Sequence, residues 1–135
     1  MTAGYSGTPL AKKLSLKDGM SVWFDGMPGS VAEEIAQDGL ELRHLAALQA
    51  PIDAAHIFVT ARADLEARLH ELKPLLASTG MIWVSWPKKA SKVPTDITED
   101  VIRDICLPMH LVDVKVCSVD DIWSGLKLVI RRQHR

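Results

Sequence analysis

Cysteine is scarce in this sequence of 135 residues, which contains only two. Neither cysteine has a second one at a CxxC spacing or a histidine pattern nearby, which excludes a disulfide framework and a zinc site of the usual kind. Cys106 falls in a predicted helix and Cys117 in a predicted strand. We interpret both as small, reduced residues that fill the core, with a catalytic or disulfide role as the alternative.

Long hydrophobic runs are also missing. No run approaches the roughly 18 residues that a membrane helix needs, and the N-terminal stretch MTAGYSGTPLAKKLSL lacks the continuous apolar core of a signal peptide. We therefore expect a cytoplasmic protein without a membrane partner. Charges of one sign do not dominate, since 16 Lys+Arg face 17 Asp+Glu. Any attraction of a charged ligand must therefore be local.

Aromatic residues make up only 5% of the sequence, with a single tyrosine. Together with a net charge of -1, this shortage argues against nucleic acid as a partner, although the segments PKKASK and RRQHR are basic. The motifs GxSxG, HExxH and the Walker pattern are absent as well. The five histidines are scattered, so no metal site is expected from them.

Alternating strands and helices are what the sequence does contain. The predicted order is strand, helix, strand, strand, helix, strand, helix, strand, strand, with strands near residues 20–25, 40–45, 55–60, 81–86, 111–118 and 124–132. This order predicts an α/β three-layer sandwich in which residues 1–135 form a single domain. The runs AHIFVTA and MIWVSW are apolar on both faces, as in the middle of a parallel sheet. We expect a mostly parallel sheet whose first, third and fourth strands are neighbours, followed by a C-terminal antiparallel hairpin.

Local patterns give the predicted helix starts and the second strand. Ser30 and Glu33 have the spacing of a capping box, and Asp96 and Glu99 have that of an N-cap pair. LELRHL alternates between apolar and polar residues, which predicts a strand with one buried face. The clearest helix follows the third strand. Its predicted apolar face consists of Leu65, Leu69, Leu72 and Leu76, and Leu69 and Leu72 are expected to be buried.

This element order, with its antiparallel last strand, resembles the C-terminal half of the Rossmann-like methyltransferase fold. The resemblance implies an acid and a glycine-rich turn after the first strand, and a second acid after the second strand for ribose hydroxyls. The turn Asp25-Gly26-Met27-Pro28-Gly29 resembles the first feature loosely, and a plain turn with a helix cap is the alternative. Arg43 and His44 end the second strand, and a cation there can take a phosphate but cannot accept a ribose hydrogen bond. No cofactor is therefore expected.

Four stretches carry a closer resemblance. They are YSGTPLAKKL, FVTARADLEA, WVSWPKKASKVPTDITEDVIRD and LVDVKVCSVDDIWSGLKLVIRR, which together span well over half of the sequence. They resemble a family of short bacterial proteins of unknown function. The resemblance implies a reduced Rossmann-like, methyltransferase-like fold, but no activity and no catalytic residues.

The candidate site lies where the parallel strands end, because ligands of such sheets bind outside the carboxyl ends of the strands. The loops DGMPGS, TARAD and WPKKASK should meet there, together with helix N-termini that favour anions. An ordinary solvated loop is the alternative for the lysines, and a lid over the sheet edge is the alternative to ligand stacking for Trp86. The candidate ligand-binding residues are Asp25, Gly26, Gly29, Ser30, Thr60, Arg62, Ser85, Trp86, Lys88, Lys89 and Lys92.

The sequence contains no recognisable set of catalytic residues, and this absence favours a binding function over an enzymatic one. We expect a non-catalytic module that binds an anionic small molecule or a protein partner weakly at this edge. The alternative is a small relative of the S-adenosylmethionine-dependent methyltransferases that uses the same edge. The sequence alone leaves open whether the protein is an enzyme, because a fold does not imply an activity.

Overall fold

The computed structural model describes residues 7–135, within which six strands form one sheet. The stretch used above to exclude a signal peptide begins in residues 1–6, which lie outside this range. The strands are β1 Ser21–Asp25, β2 Arg43–His44, β3 Ile52–Phe58, β4 Leu76–Pro87, β5 Leu111–Ser118 and β6 Trp123–Ile130. The α-helices are α1 Leu10–Lys13, α2 Gly29–Ala36, α3 Arg62–Leu72 and α4 Glu99–Cys106.

The sheet is mixed, with strand order β2-β1-β3-β4-β6-β5. The first four strands of this order are parallel to one another. Strand β6 is antiparallel both to β4 and to β5. The predicted parallel neighbours and the C-terminal hairpin are therefore confirmed.

Helices cover both faces of the sheet, because β3 and β4 are apolar on both sides. One core lies between the sheet and helices α3 and α4, and includes Ile57, Val84 and Ile102. The other lies under α1 and α2, and includes Val31 and Trp83. The structure is thus the predicted three-layer sandwich. The predicted burial of Leu69 and Leu72 is confirmed, since both side chains are completely buried.

The second strand is shorter than LELRHL predicts. Only Arg43 and His44 pair with β1, and both are exposed. The prediction of a strand with a buried face is wrong for the two paired residues, since neither side chain is buried. The apolar Leu42 and Leu45 are only partly buried.

Two predicted helix boundaries are wrong. Pro28 is the N-cap of α2, so Ser30 lies inside the first turn and no side chain caps the helix. Proline suits a helix start because its φ is already fixed and it has no N–H to satisfy. Helix α3 ends at Leu72, and a 3-10 turn containing Pro74 follows, so Leu76 opens β4 instead of extending the helix.

One polar pair lies inside the core, between the central strands. The His56 Nε2 and Ser85 Oγ atoms are 2.7 Å apart and share a hydrogen bond. His56 is 1% exposed and Ser85 is completely buried. The His56 ring also stacks on Phe58, and its Nδ1 has no hydrogen-bond partner among the described residues. Burial lowers the pKa of His56 from its ordinary 6.5 to about 3, so the ring is neutral in the folded protein.

Leu69→Ala should lower the free energy of unfolding by about 2–5 kcal/mol, because it leaves a cavity under α3 in the fully buried core. Leu107→Ala is the matched control, since Leu107 is 39% exposed and should cost less than about 1 kcal/mol. Denaturant titration measures both values. A loss below about 1 kcal/mol for Leu69→Ala would show that the leucine stripe of α3 is not a core face.

The buried histidine predicts a pH dependence of stability. His56 protonates near 6.5 in the unfolded chain but only near pH 3 in the folded protein, so between these values the unfolded state binds more protons. Stability should therefore fall as the pH falls through this window, by up to about 1.4 kcal/mol per pH unit. We expect denaturant titrations at two pH values inside this window to show the loss. His56→Gln should remove this contribution, whereas His70→Gln, at an exposed position, should keep it. Equal pH slopes in the wild type and in His56→Gln would contradict the assignment.

Candidate functional site

The parallel strands bring the predicted site residues to one edge of the sheet. Strands β1, β3 and β4 end at Asp25, Phe58 and Pro87, and their parallel pairing places all three ends on the same side. From β1 the chain goes outwards to β2 and then returns to β3 on the other side of β1. The gap between the ends of β1 and β3 is therefore the point where the strand order reverses, where open α/β sheets bind their ligands.

A cavity of about 290 Å³ lies at this reversal point. Three carboxylates and one guanidinium line it, so its local charge is negative. The predicted residues Asp25 and Thr60 are among its walls. The lining residues are Asp25, Phe58, Val59, Thr60, Asp64, Ala67, Arg68 and Glu71.

Helix α3 supplies the part of this cavity that sequence reasoning missed. Asp64, Arg68 and Glu71 follow one another at spacings of four and three residues, which places them on one face of a helix. This spacing in the sequence could have indicated that the three side chains act together. The apolar stripe of the same helix is regular, but by itself it does not indicate which polar face borders the carboxyl edge.

Arg68 holds two of the three acidic side chains of this cavity. Its guanidinium pairs with Asp25 Oδ2 at 3.0 Å and with Glu71 Oε1 at 3.3 Å. The same guanidinium lies over the Trp23 ring, with the Cζ atom 5.0 Å from the ring centroid. The Trp23 side chain is partly buried against the core, so its ring helps to hold the Arg68 guanidinium in place.

The turn after β1 needs its first glycine. Gly26 has φ +68°, which favours glycine, and a Cβ there would lie 3.2 Å from the Phe58 carbonyl oxygen. The turn thus runs close against the end of β3. Gly29 and Ser30 form the exposed first turn of α2, behind Pro28.

The lysines lie in a second cavity, of about 530 Å³, beyond the end of β4. Trp86, Lys88, Lys89 and Lys92 all line it. The Lys88 Nζ donates to Ser118 Oγ at 2.6 Å, whereas Lys89 and Lys92 are exposed. Trp86 is 8% exposed and packs in the core under α4, so its ring lies beneath the loop.

Two contacts join the loops that border the cavities. The Thr95 hydroxyl donates to the Thr60 carbonyl oxygen at 2.6 Å, and the Arg62 N–H donates to Asp96 Oδ1 at 2.7 Å. The predicted role of Asp96 as cap of its own helix is therefore wrong: Thr98 caps α4 by accepting from the Val101 N–H at 3.2 Å. An internal carboxylate also occupies the N-terminus of α3, which was expected to attract an external anion.

The remaining candidates for chemistry are buried or protonated. Ser85 is hydrogen-bonded to His56 inside the sheet, so neither side chain reaches the edge. Burial raises the pKa of Cys106 to about 11 and raises that of Cys117. Both thiols are therefore protonated near neutral pH and are poor nucleophiles. Among residues 7–135, no three His, Cys, Asp or Glu side chains are grouped to hold a metal ion. Over the same range, no helix is both long and apolar enough to cross a membrane.

Comparison with known proteins gives similarity at the level of structure. No family model matches the sequence, and no curated protein matches it either. An S-adenosylmethionine-dependent methyltransferase from Aquifex aeolicus superposes with a TM-score of 0.61 at 17% identity, covering 90% of this chain and 88% of that one. The ribosomal protein L11 methylase from Lactobacillus delbrueckii subsp. bulgaricus gives 0.59 at 11% identity, covering 91% and 76%.

Magnesium protoporphyrin IX methyltransferase from Synechocystis PCC 6803, solved with bound S-adenosylmethionine, gives a TM-score of 0.58. Its identity is 11%, and the match covers 90% of this chain and 74% of that one. At these identities the similarity concerns the fold alone. The chain therefore has the methyltransferase-like Rossmann fold that its element order predicts.

Proposed function

We propose that this protein is a small relative of the S-adenosylmethionine-dependent methyltransferases that binds S-adenosylmethionine at the cavity between β1 and β3. The observation that carries the proposal is the acidic lining of the cavity at the point where the strand order reverses. The structural comparisons favour this function over a purely anion-binding module, because the three similar proteins described above are methyltransferases.

The charges of the cavity complement those of the ligand. S-adenosylmethionine carries a sulfonium and an ammonium cation beside a single carboxylate. Asp64 and the oxygens of Asp25 and Glu71 that do not pair with Arg68 would meet the cations. The Arg68 guanidinium, which already pairs with Asp25 and Glu71, would use its remaining N–H donors for the carboxylate. Because these groups border a concave site, their attraction is stronger than that of isolated surface charges.

The fit is to the charged, amino-acid end of the ligand. A volume of about 290 Å³ lies at the lower limit of small-molecule sites, which span about 300–1,000 Å³. Exposed Arg43 and His44 stand where a carboxylate would hold the ribose hydroxyls. We therefore expect weaker binding than a complete adenosyl site would give. The bound ligand would supply an electrophilic methyl group, and the side chains of the cavity would orient its cationic end.

Titration calorimetry with S-adenosylmethionine and with its neutral thioether product, S-adenosylhomocysteine, tests this proposal. The protein should prefer the sulfonium form. Asp64→Asn should weaken that binding by about twofold to fivefold, because it removes one carboxylate of the cavity. Glu66→Gln on the same helix is the matched control, since Glu66 is exposed and lies outside the cavity lining. Equal affinity for the two ligands, or equal losses in the two variants, would contradict the proposal.

An anion site at the lysine cavity is the second candidate function. The three lysines around about 530 Å³ favour it, with Lys88 held in place by Ser118. A phosphate arm of the same titration separates the two functions. NMR locates the bound phosphate: changing both Lys88 and Lys89 to Ala should abolish the phosphate-induced shifts of the loop residues 88–92 and leave the affinity for S-adenosylmethionine unchanged. Equal phosphate-induced shifts of these loop residues in the wild type and the double variant would rule out the anion site. For both candidate functions we propose a cytoplasmic location, because Cys106 and Cys117 are free thiols, as is usual in a reducing compartment.

A further inference from the structure

A third cavity, of about 640 Å³, lies on the face of the sheet that α1 and α2 cover. Lys17 and Leu40, which line it, lie a few residues before the starts of β1 and β2 in the sequence. They therefore lie near the edge where the parallel strands begin. This cavity is thus remote from the carboxyl edge, and none of its lining residues is among the ligand-binding residues predicted from the sequence.

Three lysines converge on this cavity. Lys12 comes from α1, Lys17 from the following turn and Lys127 from β6. One carboxylate, Asp38, also lines it, but Asp38 Oδ2 accepts the Ala11 N–H at 2.9 Å. Within residues 7–135, every ion pair involves Arg68 or Arg103, and none involves these lysines.

Lys127 is the most constrained of the three ammonium groups. Its Nζ donates to Ser15 Oγ at 3.2 Å, so one of its three N–H donors is used among the described residues. Burial lowers the pKa of Lys127, and the positive charges of Lys115 and Lys17 lower it further. Cations therefore surround this ammonium. Their mutual repulsion is a cost that a bound anion would remove.

We infer that this cavity is a second binding site, which takes a small molecule carrying two or more adjacent phosphate groups. Several ammonium groups around one concavity match a multiply charged anion better than a single carboxylate. Lysine is a common phosphate ligand, which it binds as a point charge. The volume lies within the range of small-molecule sites. Buried Leu16 and partly buried Leu40 add apolar surface for the rest of the ligand.

Titration of the full chain with inorganic tripolyphosphate and with orthophosphate at low salt tests the inference. Tripolyphosphate should bind at least about tenfold more tightly, because it contacts several lysines at once. Changing both Lys17 and Lys127 to Gln should weaken that binding by about tenfold. Changing both to Arg, which keeps the charges, should retain most of it. Lys73→Gln is the matched control, because Lys73 lies in the 3-10 turn after α3 and outside the lining of this cavity; it should change the affinity by less than about twofold.

Circular dichroism establishes whether the double variant folds. If it does not, Lys12→Gln combined with Lys17→Gln replaces it, since both of these side chains are exposed. Equal affinities for the two phosphates, or an equal loss in Lys73→Gln, would overturn the inference. So would single-stranded RNA that binds more tightly than tripolyphosphate with an affinity that grows with its length, because that result indicates an open polyanion surface. Loss of binding on changing Lys88 and Lys89 would instead place the phosphate at the carboxyl edge.

Discussion

The rest of the structure depends on the parallel pairing of β3 with β4. Both strands are buried on both faces, with Ile57 and Val84 on one side and Ala54 and Trp83 on the other. Such strands are stable only when helices cover the sheet from both directions, which α1 and α2 do on one face and α3 and α4 on the other. Parallel strands need crossover connections, and these connections align the strand ends along one edge. The position of the candidate site follows from the burial of these two strands.

The carboxyl edge is divided by charge. Its β1–β3 half is bordered by carboxylates and its β4 half by lysines, and the contacts of Thr60 with Thr95 and of Arg62 with Asp96 join the two. A single anion-binding rim, as the lysine loop alone predicts, therefore describes only half of this edge. Two cavities of opposite charge can bind different parts of one ligand or two different ligands.

The central strands and the leucine helix could be predicted because burial imposes a regular pattern on residues close in sequence. The short strand β2 and the helix caps could not, because partners distant in sequence decide them. Asp96 has the local spacing of a cap for α4, yet its carboxylate caps α3, 34 residues earlier in the chain. The predicted strand order was enough to place Asp25 and Thr60 at the same edge. The position of Arg68 in the cavity could not be predicted, because it depends on how α3 is rotated about its axis. Lys127 meets Lys17 only through the fold, since 110 residues separate them in the sequence.

Native-state hydrogen exchange tests most directly whether β3 and β4 carry the fold. Their paired amides, from Ala54 to Phe58 and from Met81 to Ser85, should exchange most slowly, through global unfolding alone. The amides of β2 and of the outer strand β5 should exchange faster, through local opening at the two edges of the sheet. Two results would contradict the account: exchange in β3 and β4 as fast as in β5, or the slowest exchange of all in the C-terminal hairpin.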